Sequence, residues 1–255
     1  MGATKTTHPV TLPINFCKLS QLESAPCLLS QDEPLDRFLG GLRLGSLYFL
    51  YGSFQCLAVS ESLCIRAQLS PQCGGLGSEA VFLDGGNSFD PYLATEYAEY
   101  CSLDRNRALD RILVSRAFTY PQLTALITQK LPEVVHKRGI RLVVISDLPR
   151  LYNDSDIQSG QSLGLLKTAL SSLATTARVE RTIILATDPD EKQSYPDQFQ
   201  RAVRRRMDTI LRYEERPRYT RLILEKHPTL PRNSLLIKKP TPKILEKFLE
   251  ANVNG

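Results

Sequence analysis

Short, largely apolar runs recur along the first 187 residues of this chain, at Ser46–Tyr51, Ala80–Asp84, Arg111–Ser115, Arg141–Ser146 and Thr182–Thr187. Runs of this length without polar alternation predict strands buried on both faces. Between them, Val59–Leu69, Pro91–Cys101, Tyr120–Lys137 and Leu163–Ala177 place apolar residues at i, i+3 and i+4, the spacing of helices with one buried side. Pro132 has no amide hydrogen and crowds the preceding turn, so it should kink or split the third helix. Strand and helix alternating in this way predict an α/β fold, a mainly parallel sheet with right-handed crossovers and helices on both faces. Beyond Thr187 the rhythm changes. Asp208–Tyr213, Tyr219–Glu225 and Leu235–Ile237 are strand-like runs joined by short turns, expected to form antiparallel strands that extend one edge. The chain therefore divides into an extended arm, 1–29, whose Pro9, Pro13 and Pro26 oppose regular structure, a core, 30–240, and a tail, 241–255, with a short helix at Pro242–Leu249.

Composition narrows the function classes. With 255 residues, 42% of them hydrophobic, the chain can bury a full core. No apolar run approaches the roughly 18 residues of a membrane span, and the first residues lack a basic-then-apolar export signal. The expectation is an intracellular protein with no membrane partner, cytoplasmic in a prokaryote and nuclear in a eukaryote. Cys17, Cys27, Cys56, Cys64, Cys73 and Cys101 form no CxxC pairs, and His8, His136 and His227 lie far apart. This pattern supports neither a zinc site nor a triad, and no metal is expected.

One stretch carries candidate chemistry. LYGSFQCLAVS, residues 50–60, follows a predicted strand and precedes a predicted helix. A phosphate-binding loop in that place runs Gly, four residues, Gly, Lys, Ser or Thr: its amides cradle phosphate, its Lys neutralises charge and its hydroxyl holds Mg2+. Gly52 keeps the first position, but Leu57, Ala58 and Val59 stand at the other three. Leu57 would hold the conformation of the second glycine only with strain, Ala58 offers no charge and Val59 cannot ligate a cation. The loop reads as degenerate, with no nucleotide cofactor.

Taken together, the segments resemble the RecA/RadA recombinase superfamily. PLDRFLGGLRLGSLYFLYG, 34–52, is similar to the opening of that core. AVFLDGGNSFDP, 80–91, and DRILVSRAFTYPQL, 110–123, match its next two strands, with a distinctive Arg-Ala-Phe at 116–118. IRLVVISDLPRLY, 140–152, resembles the second nucleotide motif, and RTIILATDP, MDTILRYE and LEKHPTLP follow in the family's order. The resemblance spans about residues 30–237 and implies a RecA-like core in a short paralog without the helical amino-terminal DNA-binding domain. Two further departures stand out. The family's metal-linked Asp directly follows four apolar strand residues, whereas here Ser146 intervenes, so Asp147 is expected on the other face as a helix or turn cap. The family's Asp-Thr-Glu supplies a hydrolytic base, whereas Gly85 and Gly86 follow Asp84.

The resemblance also points to partners. Family members lend an apolar segment before the core to a neighbour, which makes Phe16 the candidate for binding a recombinase or a RecA-like paralog. Residues 201–221 hold eight arginines against Asp208, Glu214 and Glu215, concentrating the chain's net charge of +5. A helix ending Arg204, Arg205 and Arg206, with Arg201 before it and Arg212 on the next strand, would present guanidinium groups to DNA phosphates. The first DNA-binding loop of the resembled family, here Asn153–Gln161, is acidic and lacks arginine. These features imply a recombinase paralog without ATPase activity that assists homologous recombination and DNA repair. The alternatives are a residual nucleotide-binding RecA-like protein, and a structural subunit of a RecA-fold ring outside recombination, as in Elongator.

Overall fold

The computed structural model describes residues 27–30, 33–153, 159–190 and 196–238. Their centre is an eight-stranded sheet. Its order begins at Asn233–Lys238 (β10) and runs through Tyr219–Lys226 (β9), Thr209–Glu215 (β8), Leu47–Tyr51 (β3), Ile183–Asp188 (β7), Leu142–Ser146 (β6) and Ala80–Asp84 (β4) to Ile112–Arg116 (β5). From β8 to β5 every pairing is parallel, and β9 and β10 are antiparallel. A separate two-stranded ladder pairs Cys27–Leu28 (β1) with Leu42–Arg43 (β2), on either side of the helix Glu33–Leu39 (α1).

The apolar runs alternate their contacts although they show no polar alternation. Phe49, Val81, Val143, Ile145 and Ile184 bury into one face with Leu166, Leu170 and Leu173 of Ser159–Glu180 (α8) and Phe199 and Val203 of Asp197–Arg206 (α9). Tyr48, Leu50, Phe82, Val144 and Leu185 bury into the other with Leu63 and Ile65 of Gln55–Arg66 (α2) and Ala94 and Ala98 of Pro91–Tyr100 (α3). Helices on both faces remove the need for a polar side, which is why the strands read as continuous.

Pro132 does split the third predicted helix. Tyr120–Ala125 (α5) passes through a π-helical turn, Leu126–Lys130, into Leu131–Arg138 (α6), which begins with the proline near its amino end, where a missing amide costs nothing. A short helix, Arg105–Asp110 (α4), capped by Asp104 accepting from the Arg107 amide, interrupts a stretch too short to show helical periodicity. The first strand of the expected antiparallel group is corrected: β8 lies parallel to β3, because α9 serves as one more crossover and returns the chain to the end of the sheet where β3 starts. The turn to antiparallel comes one strand later, at β9. Among the described residues no helix is long and apolar enough to cross a membrane. Phe16 and the tail helix predicted at Pro242–Leu249 lie outside the described residues.

Candidate functional site

Register brings the ends of the parallel strands together. Tyr51 stands beside both Asp188 and Arg212, and Asp84 beside both Ser146 and Arg116. Ligand sites of open α/β sheets lie at this carboxyl edge.

At β3 the chain leaves the sheet through Gly52, whose φ of 97° and whose amide bond to the Asp188 carbonyl (2.9 Å) fix the turn. A Cβ there would sit 2.5 Å from the Tyr213 carbonyl oxygen, so only glycine fits. Just Ser53 and Phe54 then separate Gly52 from α2. The amides of Cys56, Leu57 and Ala58 donate to the carbonyls of Ser53, Phe54 and Phe54, and the Gln55 amide donates to Ser53 Oγ. Ser53 Oγ in turn donates to Glu215 Oε1 at 2.7 Å, and Gln55 Nε2 donates to Thr220 Oγ1. Thus the end of the β8–β9 hairpin closes over the start of the helix. Leu57 does not take up the conformation of a second loop glycine: it lies in regular helix, buried against the core beside half-buried Ala58 and Val59. Without a second glycine to hold the loop open, these residues wind into α2, which begins four residues before its predicted start at Val59.

At the neighbouring edge, Asp84 is enclosed. Its Oδ1 accepts from the Ser88 amide, Ser88 Oγ and Ser146 Oγ, and its Oδ2 from the Phe89 amide beside Arg116 Nε at 3.3 Å. Asp147 immediately precedes the short helix Leu148–Leu151 (α7), with a left-handed φ of 52°. The expected cap is corrected: its side chain makes no capping bond, because that backbone twist turns the carboxylate away from the α7 amides. It points instead to Gly86, where a Cβ would lie 1.7 Å from Asp147 Oδ2, and its Oδ1 sits 3.6 Å from Arg150 Nη1. Burial, with Asp188 and Asp84 nearby, pushes its carboxyl up to about 6 against the pull of Arg150. Asp84, Gly86, Arg116, Phe118, Asp147 and Arg150 line a cavity of about 450 Å3. Behind it, Glu61 of α2 accepts from the Asp90 amide through Oε1 while Oε2 has no hydrogen-bond partner among the described residues, and burial pushes its carboxyl up to about 7. Among the described residues no group of three or more His, Cys, Asp or Glu is arranged to hold a metal ion.

The arginines divide between two surroundings. Arg204 donates to Glu225 (2.5 Å) and to the Tyr51 hydroxyl (2.9 Å), with its guanidinium 5.7 Å from the Tyr51 ring centre. Arg212 pairs with Glu214 (2.7 Å) and Glu225 (3.2 Å). Burial and the Glu225 bond push the Tyr51 hydroxyl up to about 12, keeping it a donor. Arg201, Arg205 and Arg206 are exposed, and the last two border a groove of about 400 Å3 with Lys167 of α8. The structure thus brings Gly52 beside Arg212 and places Arg205 and Arg206 on another surface. Glu225, Lys167 and the bond from Ser53 to Glu215 are not legible in the sequence, since pairing across strands and helices leaves no local signature. Residues 154–158, within the acidic loop at the place of the resembled family's first DNA-binding loop, where a poor grip on DNA is expected, lie outside the described residues.

A profile of the Rad51 family matches residues 27–176. The chain is 26% identical over 148 residues to the DNA repair protein RAD51 homolog of Solanum lycopersicum, covering 55% of this chain and 43% of that protein. It is 27% identical over 124 residues to the human meiotic recombination protein DMC1/LIM15 homolog, covering 47% and 36%. It is 24% identical over 186 residues to the DNA repair and recombination protein RadA of Cenarchaeum symbiosum, covering 69% and 45%. The matches span less than half the length of each of these relatives. With a profile match over more than half the chain, and a mainly parallel sheet whose strand ends carry the loop at Gly52 and the Asp84 edge, this protein belongs to the Rad51 family.

Proposed function

We propose that this protein acts in homologous recombination and DNA repair as a RecA-like paralog without ATPase activity, joining a catalytic recombinase or sister paralog and touching DNA through Arg201, Arg205 and Arg206. The observation that carries the reading is the loop after β3. Its helix amides bond to the chain's own carbonyls and to Ser53, and Ser53 is held by a carboxylate, Glu215, where a phosphate would need a cation. A triphosphate there would face a negative charge and find no lysine or metal-binding hydroxyl at 57–59. Loss of a hydrolytic carboxylate at Gly86 points the same way, and the names of the relatives supply the recombination setting. Phe16 remains the candidate anchor to the partner. Equilibrium titration with fluorescently labelled ATP and Mg2+ tests the reading. No saturable binding is expected at concentrations up to about 1 mM, and micromolar, Mg2+-dependent affinity would overturn it.

A further inference from the structure

The antiparallel wing formed by β9 and β10 has one face in the core and, among the described residues, one face partly exposed. Leu222, Leu224 and Leu235 turn inward to pack with Tyr48, Leu50 and Leu211. On the opposite face Tyr219 is 37% exposed and Leu236 60% exposed, and Arg221 stands directly opposite Leu236 in the ladder. Next to them is a cavity of about 500 Å3 lined by Arg204, Arg221, Ile223, Glu225, Arg232 and Ser234. Glu225 is already engaged by Arg204 and Arg212. Arg221 donates to Ser234 Oγ, and among the described residues no carboxylate pairs with Arg221 or Arg232. β10 is also the outer strand of the sheet, six residues long, and among the described residues has a strand neighbour on one side only. An edge of that length carrying an exposed leucine is a template for strand addition.

We propose that this wing docks an extended, acidic segment of a partner protein, which adds a strand to β10, lays an apolar side chain on Leu236 and Ile223, and sets carboxylates against Arg221 and Arg232. Charge complementarity selects this occupant. The chain's own residues 239–255 carry three lysines against two glutamates, the wrong sign for an arginine-lined cavity. A nucleic-acid backbone gains nothing from the exposed leucine and cannot continue the ladder at the β10 edge as an extended peptide can. The inference is independent of ATP binding and of Arg205 and Arg206, which border a different groove.

The test uses the full chain and a fluorescein-labelled peptide repeating Glu-Thr-Val-Thr, which places Glu and Val on one face of an extended strand. Wild-type protein should bind it with protection of the β10 amides from hydrogen exchange. Arg221→Gln with Arg232→Gln should weaken binding about tenfold or more. Arg205→Gln with Arg206→Gln, which removes the same charge elsewhere, should leave it within about twofold. Equal loss in both double variants would reduce the effect to net charge and overturn the proposal. So would the absence of binding at about 1 mM protein. Loss of oligonucleotide rather than peptide binding on Arg221→Gln with Arg232→Gln would make the wing a nucleic-acid surface and equally overturn it. A photo-crosslinker at Ser234 that captures only the chain's own residues 239–255 would show the face to be self-covered, with the same consequence.

Discussion

At the scale of single residues, Gly86 and Asp147 constrain each other. A side chain at 86 would occupy the place of the Asp147 carboxylate, and Asp147 holds a backbone twist that glycine adopts more easily. Gly86→Ala should therefore cost about 1–3 kcal/mol in chemical unfolding. In an Asp147→Gly background the cost should nearly vanish; equal costs in both backgrounds would disprove the coupling. The same contact means that a carboxylate restored at position 86 would displace Asp147 before it could act as a base. Glu61 offers a pH test. Its carboxyl is raised in the folded state, from 4.5 to about 7, so the protonated form is favoured by folding. Its contribution is complete below about pH 4.5 and is lost as pH rises through about 7, a change of at most about 3 kcal/mol. Glu61→Gln, which keeps an oxygen for the Asp90 amide, should flatten the dependence of melting temperature on pH across that window and raise stability at pH 8. An unchanged profile would place the buried charge elsewhere.

At the scale of elements, α2 decides the fate of the loop. A phosphate cradle requires several unpaired amides ahead of a helix, and here the helix has grown backwards until those amides serve its own first turn. Ala58 lies inside that helix, so a lysine alone does not rebuild a cradle. Ala58→Lys should fold normally, because position 58 is only half-buried, and should show no ATP binding in the same titration. Restored Mg2+-dependent affinity in that variant would mean that the loop opens readily and that only charge is missing. The predicted start at Val59 missed the extra turn because Gln55 and Cys56 carry no apolar spacing; what makes them helical is closure by Glu215 and Thr220 from strands some 160 residues away in sequence.

At the scale of the whole molecule, the arginines of α9 serve different ends. Arg205 and Arg206 face a groove with Lys167, whereas Arg204 is tied into the Tyr51–Glu225 knot that joins α9 to β3 and β9. Arg205→Gln with Arg206→Gln should weaken DNA binding about equally for all sequences and make the slope of log K against log salt shallower by about 1.5, with melting temperature unchanged. Arg204→Gln should instead lower the melting temperature, because Glu225 loses its closest cation. A triple replacement would therefore mix a binding effect with a folding effect. If the double variant binds DNA with the wild-type slope, these arginines face a protein.

The chain alone determined the fold class, the β3 to β7 strands within a residue or two, the split at Pro132, and the family. Each of these is written locally, in apolar runs, turn residues and motif spacing. Tertiary structure alone decided that Leu57 lies in regular helix, that Asp147 presses on Gly86 rather than capping a turn, that β8 runs parallel to β3, and that Arg204 and Arg205 lie in different surroundings. Those outcomes depend on which strands become neighbours and on where crossovers return the chain. Contacts between residues such as Ser53 and Glu215, or Tyr51 and Glu225, arise only when the sheet is assembled, and no pattern of spacing along the chain encodes them.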